Sequence, residues 1–386
     1  MKDLTAREIL ARLIAFPTVS SESNLDLIAF VEGYLTACGA RVGLVPKPGE
    51  PKAGLWAHAG PEEEGAVLLS GHSDVVPVEG QEWSSDPFEL TERDGRLYGR
   101  GTTDMKGFDA LAIWAVGQAA LHGTSRPLQL ALSYDEELGC YGAPPVIEAM
   151  AEAGVPKAGA AIIGEPSEMK VITGHKGGCH WHVHVRGYEV HSSLVYDGVS
   201  AIFEAAKLVR WADEINAANR AATPGPLAAP FYPPCTTAHV GKIEGGTAHN
   251  ITAGHCRLGF DFRVVPGDDI ADWKAAFEAK RAELEAGMKA RHPGCFITAE
   301  ESFGVPPLLP EEGGAAEALA RGLTGDNGTH VVSYGTEAGH FQAAGISSVV
   351  CGPGNIAQAH QPDEYLTLAD WQAGEAFIAR LLESCR

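Results

Sequence analysis

The sequence lacks the features that mark several classes of protein. Its eight cysteines are scattered, without a C-x-x-C pair or the density of a disulfide scaffold, so we expect reduced thiols without a catalytic role. No apolar run reaches the roughly 18 residues of a membrane span, and the first twenty residues lack the basic and apolar segments of a secretory signal. We therefore expect a cytoplasmic protein that does not associate with membranes.

Basic residues are also scarce, since 29 Lys and Arg stand against 50 Asp and Glu and give a formal net charge of −21. Such a surface repels phosphate groups, so we expect no nucleic-acid partner. The length of 386 residues exceeds what one core usually organises, and we predict two domains.

Short apolar runs bounded by glycine or proline recur up to about residue 177 and again after about residue 305. They are Ala66–Leu69, Leu128–Leu132, Ala160–Ile163 and Ile346–Val350. Such runs are typical of strands buried in a parallel sheet. The segments between them have helical spacing, and Met105–His122 suits a buried helix with Asp104 at its N-cap. The alternation predicts an α/β fold with a doubly wound, mostly parallel sheet.

The pattern changes near residue 178. Cys179–Val185 alternates strictly between polar and apolar residues, which indicates a half-buried antiparallel strand. A helix, two strands, a helix and a last strand follow, and this β-α-β-β-α-β order is that of the ferredoxin-like unit. We therefore predict a discontinuous catalytic domain, 1–177 and 305–386, with a domain inserted over 178–304.

Five potential metal-binding side chains follow the apolar runs directly or stand at the entrance to a helix. They are His72, Asp104, Glu137, Glu165 and His360. Ligands collect outside the carboxyl ends of the strands in open α/β sheets, so these side chains are expected to converge. Three carboxylates offset most of the charge of two divalent ions. Nitrogen and oxygen ligands without a thiolate favour two Zn²⁺ per chain, with Co²⁺ or Mn²⁺ as substitutes.

Two further carboxylates stand beside these ligands. Asp74 follows His72 by two residues, on the same side of an extended chain, and can orient the imidazole. Glu136 precedes Glu137 where a strand stops, and adjacent side chains there diverge. One glutamate can therefore bind metal while the other faces a substrate.

Each of these residues also has a plainer interpretation when taken alone. A single histidine is more often a structural residue, Asp104 can be only a helix cap, and Glu136 with Glu137 can be a solvated turn. These readings leave the convergence of all five positions unexplained.

Other motifs point to other sites, but each is incomplete. His180, His182 and His184 share one strand face and imitate a metal site, although no third ligand is placed and a sheet face at a dimer interface is simpler. Gly71–Val75 lacks the second glycine of a serine-hydrolase elbow. Asp104 stands where a dinucleotide-binding loop needs its third glycine.

Five motifs, in this order, resemble those of the M20 co-catalytic zinc amidohydrolases and peptidases. They are His72-x-Asp74, Asp104–Gly107, Asp135–Glu137, Gly164–Pro166 and His360. The resemblance implies that the inserted domain is a lid and dimerisation domain, and therefore that the protein is a homodimer. It also implies His72 and Glu165 on one zinc, Glu137 and His360 on the other, and Asp104 bridging.

The same resemblance assigns roles beyond the ligands. Glu136 is implied as the general acid and base of amide hydrolysis, and Asp74 as the partner of His72. His191 matches a lid histidine that reaches the partner subunit's site. Asn250 and Arg263 match lid positions that hold substrate.

Local chemistry leaves two of the substrate assignments open. Arg263 suits a bidentate carboxylate but can instead pair with Asp261. Thr336 and Glu337 can contact substrate, with Glu337 facing a cationic side chain, or can only shape a turn.

The substrate is implied by similarities to particular members of this family. Gly95–Gly99, His175–Gly177 and Gln358–Leu366 are most similar to members that deacetylate acetylornithine, which implies N2-acetyl-L-ornithine as a small-molecule N-acyl amino acid substrate. Asp135–Gly139 and Ser73–Pro77 are more similar to desuccinylases and carboxypeptidases, so succinyl-diaminopimelate or a dipeptide is the alternative. A binding protein that kept the fold without the chemistry is a third hypothesis, which metal analysis would separate.

Overall fold

Residues 2–386, which the computed structural model describes, contain nine α-helices and fifteen strands. The helices are α1 (Ala6–Ile14), α2 (Leu25–Cys38), α3 (Lys106–His122), α4 (Ala143–Glu152), α5 (Ala201–Ala221), α6 (Ile270–Arg291), α7 (Ala315–Thr324), α8 (Ala338–Ala343) and α9 (Leu368–Ser384). The strands are β1 (Arg41–Pro46), β2 (Ala53–Ala59), β3 (Ala66–His72), β4 (Thr91–Arg93), β5 (Arg96–Tyr98), β6 (Leu128–Ser133), β7 (Ala158–Pro166), β8 (Ile172–His175), β9 (Gly177–Arg186), β10 (Thr237–Gly245), β11 (His255–Val264), β12 (Phe296–Val305), β13 (His330–Val332), β14 (Ser347–Gly352) and β15 (Tyr365–Thr367).

The chain divides into two units. The first comprises the residues up to Gly174, Pro310–His330 and Thr336–Arg386, and the second His175–Leu309 and Val331–Gly335. The second unit therefore begins before residue 178, ends after residue 304 and includes a short later segment. The domain boundaries predicted from the sequence stay a prediction.

The first unit is organised by an eight-stranded sheet in the order β1-β2-β6-β3-β7-β14-β8-β13. The four predicted strands are its centre, since β3 pairs in parallel with β6 and β7, and β7 pairs in parallel with β14. Every residue of β3 and β6 is buried, as expected for a parallel sheet covered on both faces. The predicted α/β class with a mostly parallel sheet is confirmed.

The parallel pairing determines where a site can form. Because β3, β6, β7 and β14 run in the same direction, their carboxyl ends meet at one edge of the sheet. His72 ends β3 and is paired in register with Ser133, which ends β6. The segments that follow these strands therefore lie side by side.

Helix α3 is buried along most of its length, as its apolar sequence predicts. Its N-cap is Met105 and no side chain caps it. The prediction that Asp104 caps this helix is therefore wrong, because the Asp104 carboxylate is engaged by two histidines instead.

The second unit has the predicted β-α-β-β-α-β order. Its antiparallel sheet has the order β10-β11-β9-β12, and the alternate residues Trp181, Val183 and Val185 of β9 belong to the core beneath α5 and α6. The Trp181 and Phe277 rings stack at 4.2 Å. The predicted separate antiparallel sheet is confirmed. Strand β11 begins at His255 rather than near residue 250, so Asn250 lies in a loop.

Within residues 2–386, no helix combines the length and the apolar character that crossing a membrane requires.

Candidate metal centre

The Asp104 carboxylate lies between two imidazoles. Its Oδ1 is 3.2 Å from His72 Nε2, and its Oδ2 is 3.2 Å from His360 Nε2. His72 is fully buried at the end of β3, whereas the His360 side chain is 51% exposed. A carboxylate that presents one oxygen to each of two histidines has the arrangement of a bridge between two cations.

Three glutamates surround this carboxylate. Glu165, within the last residues of β7, approaches His72 Nε2 to 3.7 Å, and Glu136 approaches the same nitrogen to 4.0 Å. Glu137 lies 3.1 Å from His360 Nε2. The five side chains predicted as ligands are therefore brought together in the first unit, and Glu136 is beside them.

Two triads have ligand atoms that all lie within 4.8 Å of one another, namely His72 with Glu136 and Glu165, and His72 with Asp104 and Glu137. Burial and the charge of Asp104 raise the pKa of Glu137 to about 8, and the same causes raise the pKa of Glu165 well above its usual value. The charged groups with the largest effect on the pKa values of these two glutamates are carboxylates and His72 or His360. Divalent cations would supply the missing positive charge, so the donor set fits a metal centre.

His72 is oriented differently from the prediction. Its Nδ1 lies 2.9 Å from the backbone oxygen of Asp74 but 3.6 Å from Oδ1 of the same residue. A carbonyl oxygen only accepts, so Nδ1 carries a proton and Nε2 is the nitrogen available to a metal. The Asp74 carboxylate accepts hydrogen bonds from the backbone N–H groups of Glu136 (3.1 Å) and Glu137 (3.3 Å). The Asp74 side chain thus supports the loop that carries Glu136 and Glu137, and the Asp74 backbone oxygen supports His72.

Glu364 contacts the segment that carries Asp104, and the sequence patterns did not single it out. Its carboxylate is buried and accepts from Arg100 Nη1 at 2.7 Å and from the backbone N–H of Gly101, Thr103 and Asp104 at 2.9 to 3.1 Å. It stands four residues after His360. One carboxylate therefore ties the segment that carries His360 to the segment that carries Asp104.

A contact to the side chain of Glu136 favours one orientation of its carboxylate. The Cys140 thiol, buried beside it, donates to Glu136 Oε1 over 3.1 Å. Burial raises the pKa of Cys140 well above its usual value, so the thiol stays protonated and acts as a donor. Oε2 of Glu136 is the oxygen that faces His72.

Glu337 lies at the start of α8, is 1% exposed, and accepts hydrogen bonds from the hydroxyls of Ser133 and, at 3.4 Å, Ser70. Burial and the charge of Glu136 raise its pKa to about 8. Thr336 Oγ1 accepts from the Ala338 N–H at 3.1 Å and so shapes the turn that precedes α8.

The remaining predicted site residues lie in the second unit. His191 is exposed, and its Nδ1 is 2.9 Å from Ser193 Oγ. Asn250 lies next to it, because the Asn250 carbonyl accepts from the Ser192 N–H. Arg263 is 45% exposed and 3.6 Å from Asp261 Oδ2. These residues form no metal-binding cluster with one another in the described part of the unit.

The strand face of His180, His182 and His184 carries no cluster of three ligands within residues 2–386. His184 Nε2 instead lies 2.8 Å from His255 Nδ1, and His180 stacks on Phe303 at 5.8 Å. The interpretation of these histidines as a sheet face rather than a metal site agrees with this geometry.

Fold and site together define a metalloenzyme of the α/β class. Residues 68–384 match Peptidase family M20/M25/M40. The chain is 35% identical to the acetylornithine deacetylase of Myxococcus xanthus, with 97% of this chain and 96% of the relative covered. It is also 35% identical to the acetylornithine deacetylase of Pasteurella multocida, with 93% and 92% covered. The chain therefore belongs to the M20/M25/M40 family and is a metal-dependent hydrolase.

Solved structures agree on the fold. An M20 family metallo-carboxypeptidase from Sulfolobus solfataricus superposes with a TM-score of 0.77 at 18% identity, over 98% of this chain and 99% of that chain. Human carnosine dipeptidase 1 gives a TM-score of 0.69 at 20% identity, over 100% and 98% of the two chains.

Proposed function

We propose that this protein hydrolyses the amide bond of an N-acylated amino acid and that N2-acetyl-L-ornithine is its substrate. The observation that carries the chemistry is the Asp104 carboxylate, with one oxygen 3.2 Å from the Nε2 of each of two histidines and three glutamates around it. The substrate is supported by the 35% identity to two acetylornithine deacetylases.

His72 and Glu165 would hold one divalent ion, Glu137 and His360 a second, and Asp104 both. We propose zinc, because the donors are nitrogen and oxygen atoms without a thiolate. Bound ions polarise the amide carbonyl and lower the pKa of a water molecule in the site.

Glu136 is the proposed general base and acid. Its Oε1 is held by the Cys140 thiol, which leaves Oε2 to take a proton from the attacking water and return it to the leaving amine. Burial raises the pKa of Glu136, which suits a group that must both accept and release a proton near neutral pH. The Asp74 carboxylate fixes the backbone of this glutamate during both transfers.

Three residues of the second unit are assigned to substrate recognition. We propose that Arg263 and Asn250 bind the substrate carboxylate and that His191 of the partner subunit lies near the carbonyl oxygen. A homodimer is supported by the exposed apolar side chains of the second unit, including Tyr196 at 99%, Phe203 at 64% and Leu194 at 54%. The cytoplasmic location predicted from the sequence stays a prediction.

Glu337 is the proposed partner of the ornithine side-chain ammonium, and Thr336 orders the turn that presents it. The charged groups with the largest effect on the pKa of Glu337 are Glu136, His72 and Asp74, and none of them is a lysine or arginine. A buried carboxylate in this position gains from a cationic ligand. N-acetyl-L-norleucine has the shape of N-acetyl-L-ornithine but no ammonium group. Glu337→Gln should therefore lower the preference for acetylornithine over acetylnorleucine, measured as a ratio of kcat/KM values, by about 10- to 100-fold.

The test of the function is a substrate panel with the zinc-loaded protein. We expect acetate and ornithine from N2-acetyl-L-ornithine, with a higher kcat/KM than for succinyl-diaminopimelate or a dipeptide. Release of succinate alone would instead favour the desuccinylase alternative suggested by Asp135–Gly139. Metal analysis provides the second arm, since fewer than one ion per chain at neutral pH would favour a binding protein without catalysis.

A further inference from the structure

Two lysines from the β1–β2 hairpin converge on one buried carboxylate. Lys47 Nζ is 2.6 Å from Asp135 Oδ2, and Lys52 Nζ is 2.6 Å from Asp135 Oδ1. The Asp135 side chain is 0% exposed, compared with 7% for Lys52 and 23% for Lys47. We name these three residues the lysine clamp. It joins positions 83 and 88 residues apart in sequence.

The clamp acts on the residue that directly precedes Glu136. Asp135 has a φ of 55°, in the left-handed region that non-glycine residues seldom adopt. Contacts from two ammonium groups to its two oxygens anchor the side chain of this residue and so stabilise the turn. The direction of this turn decides where the Glu136 side chain points.

The clamp also closes a network around the same loop. Lys52 Nζ donates to the Ser20 backbone oxygen at 2.5 Å, and Ser20 Oγ donates to Asp74 Oδ2 at 2.7 Å. Asp74 in turn accepts from the N–H of Glu136. Glu136 is thus fixed from both sides, by the clamp before it and by Asp74 at its own backbone.

We propose that the lysine clamp positions the general base. Lys47, Lys52 and Asp135 do not touch the metal ligands in this arrangement; they act through the backbone of Glu136. The inference rests on the proposed role of Glu136. It predicts an effect on the chemical step rather than on substrate binding, because positioning of a reacting group is expressed in kcat.

The test uses Lys52→Met and Asp135→Asn in the full-length, zinc-loaded protein. Asparagine tolerates the left-handed conformation, so Asp135→Asn removes the charge and keeps the turn accessible. We expect kcat to fall by about 10- to 100-fold while KM stays within about threefold, as for a misplaced catalytic group. Zinc per chain should be unchanged, because four of the five proposed ligands come from other segments. Lys52→Arg should recover part of kcat because it keeps the charge.

Lys170→Met is the matched control. Lys170 pairs at 2.7 Å with Glu168, which also has a positive φ of 56°, but this pair is exposed at the surface. We expect the kcat and KM of Lys170→Met to equal those of the wild type. If Lys52→Met misfolds, Lys47→Met is the second variant, since this lysine is partly exposed and Asp135 keeps Lys52 as a partner at 2.6 Å.

Three results would overturn the proposal. One is a kcat within twofold of the wild type in all clamp variants. Another is a loss of bound zinc that accompanies the fall in kcat, because the clamp would then position the ligand Glu137 rather than Glu136. The third is a Lys170→Met variant as impaired as Lys52→Met. A wild-type protein that hydrolyses no acylated amino acid would contradict the proposed function instead, so the two failures are distinguishable.

Discussion

Both units of this protein bring histidines and acidic residues together, but with different outcomes. In the first unit, His72 and the three glutamates lie at or just after the ends of strands whose carboxyl ends meet, and Asp104 lies just before α3. Their side chains point at one another. In the second unit, His180, His182 and His184 share the face of one antiparallel strand. His180 contacts the ring of Phe303 and the hydroxyl of Ser302, and His184 contacts the ring of His255, all on neighbouring strands. Convergence at strand ends therefore builds a potential metal centre, whereas repetition along a strand builds a surface.

The largest effect should come from removing the proposed base in the first unit. Glu136→Gln keeps the shape of the side chain but cannot take a proton, so we expect kcat to fall by about 10³- to 10⁴-fold. Zinc per chain should remain at the wild-type value, measured by elemental analysis after dialysis. The exposed Glu63→Gln is the control and should be unchanged. Activity within tenfold of the wild type would contradict the role of Glu136.

A somewhat smaller effect is expected from the bridging carboxylate. Asp104→Asn removes the charge between His72 and His360, and we expect at least about 100-fold weaker zinc binding in a competition with a chelator, since even indirect partners of ligands contribute 10- to 100-fold. Full zinc affinity in this variant would mean that Asp104 is not shared between two ions.

A substitution of Glu364 tests whether the metal site depends on how the segments that carry its ligands are held together. Glu364→Gln leaves one oxygen where two accept hydrogen bonds from Arg100 and from three backbone N–H groups. We expect zinc affinity to fall by about 10- to 100-fold, comparable with other residues that orient ligands. An unchanged affinity together with an unchanged thermal midpoint would show that the loops hold their positions without it.

The smallest effect should come from the second unit. His182→Ala and His184→Ala each remove one of the three histidines that share a face of β9. We expect zinc stoichiometry and affinity to stay within about twofold, because neither belongs to a triad of ligand atoms. Loss of a bound ion from either variant would reverse the contrast between the two units.

Much of this fold could be predicted because its signals are local. The apolar runs gave β3, β6, β7 and β14, and the alternation in Cys179–Val185 gave β9. The ligands were predicted because they follow these runs or, like Asp104, stand at the entrance to a helix, and because their motifs resemble a known family. The order of motifs and elements thus sufficed for the catalytic framework.

The residues that support the site could not be predicted in the same way. Lys47 and Lys52 stand in a hairpin turn, where lysines are usually solvated, and nothing local connects them to Asp135 more than 80 residues later. Glu364 reaches back about 260 residues to the Asp104 segment. Such partners depend on tertiary packing, and the predicted cap at Asp104 failed because its carboxylate has partners from other segments.

The most direct test of the central claim is an anomalous difference map from zinc-loaded crystals, recorded at the zinc absorption edge. We expect two peaks about 3.5 to 4 Å apart, one on each side of the Asp104 carboxylate, as in other two-metal sites. His72 and His360 should each contact one peak. A single peak that Asp104 does not touch, or peaks at His184 and His255 of the second unit, would contradict the account.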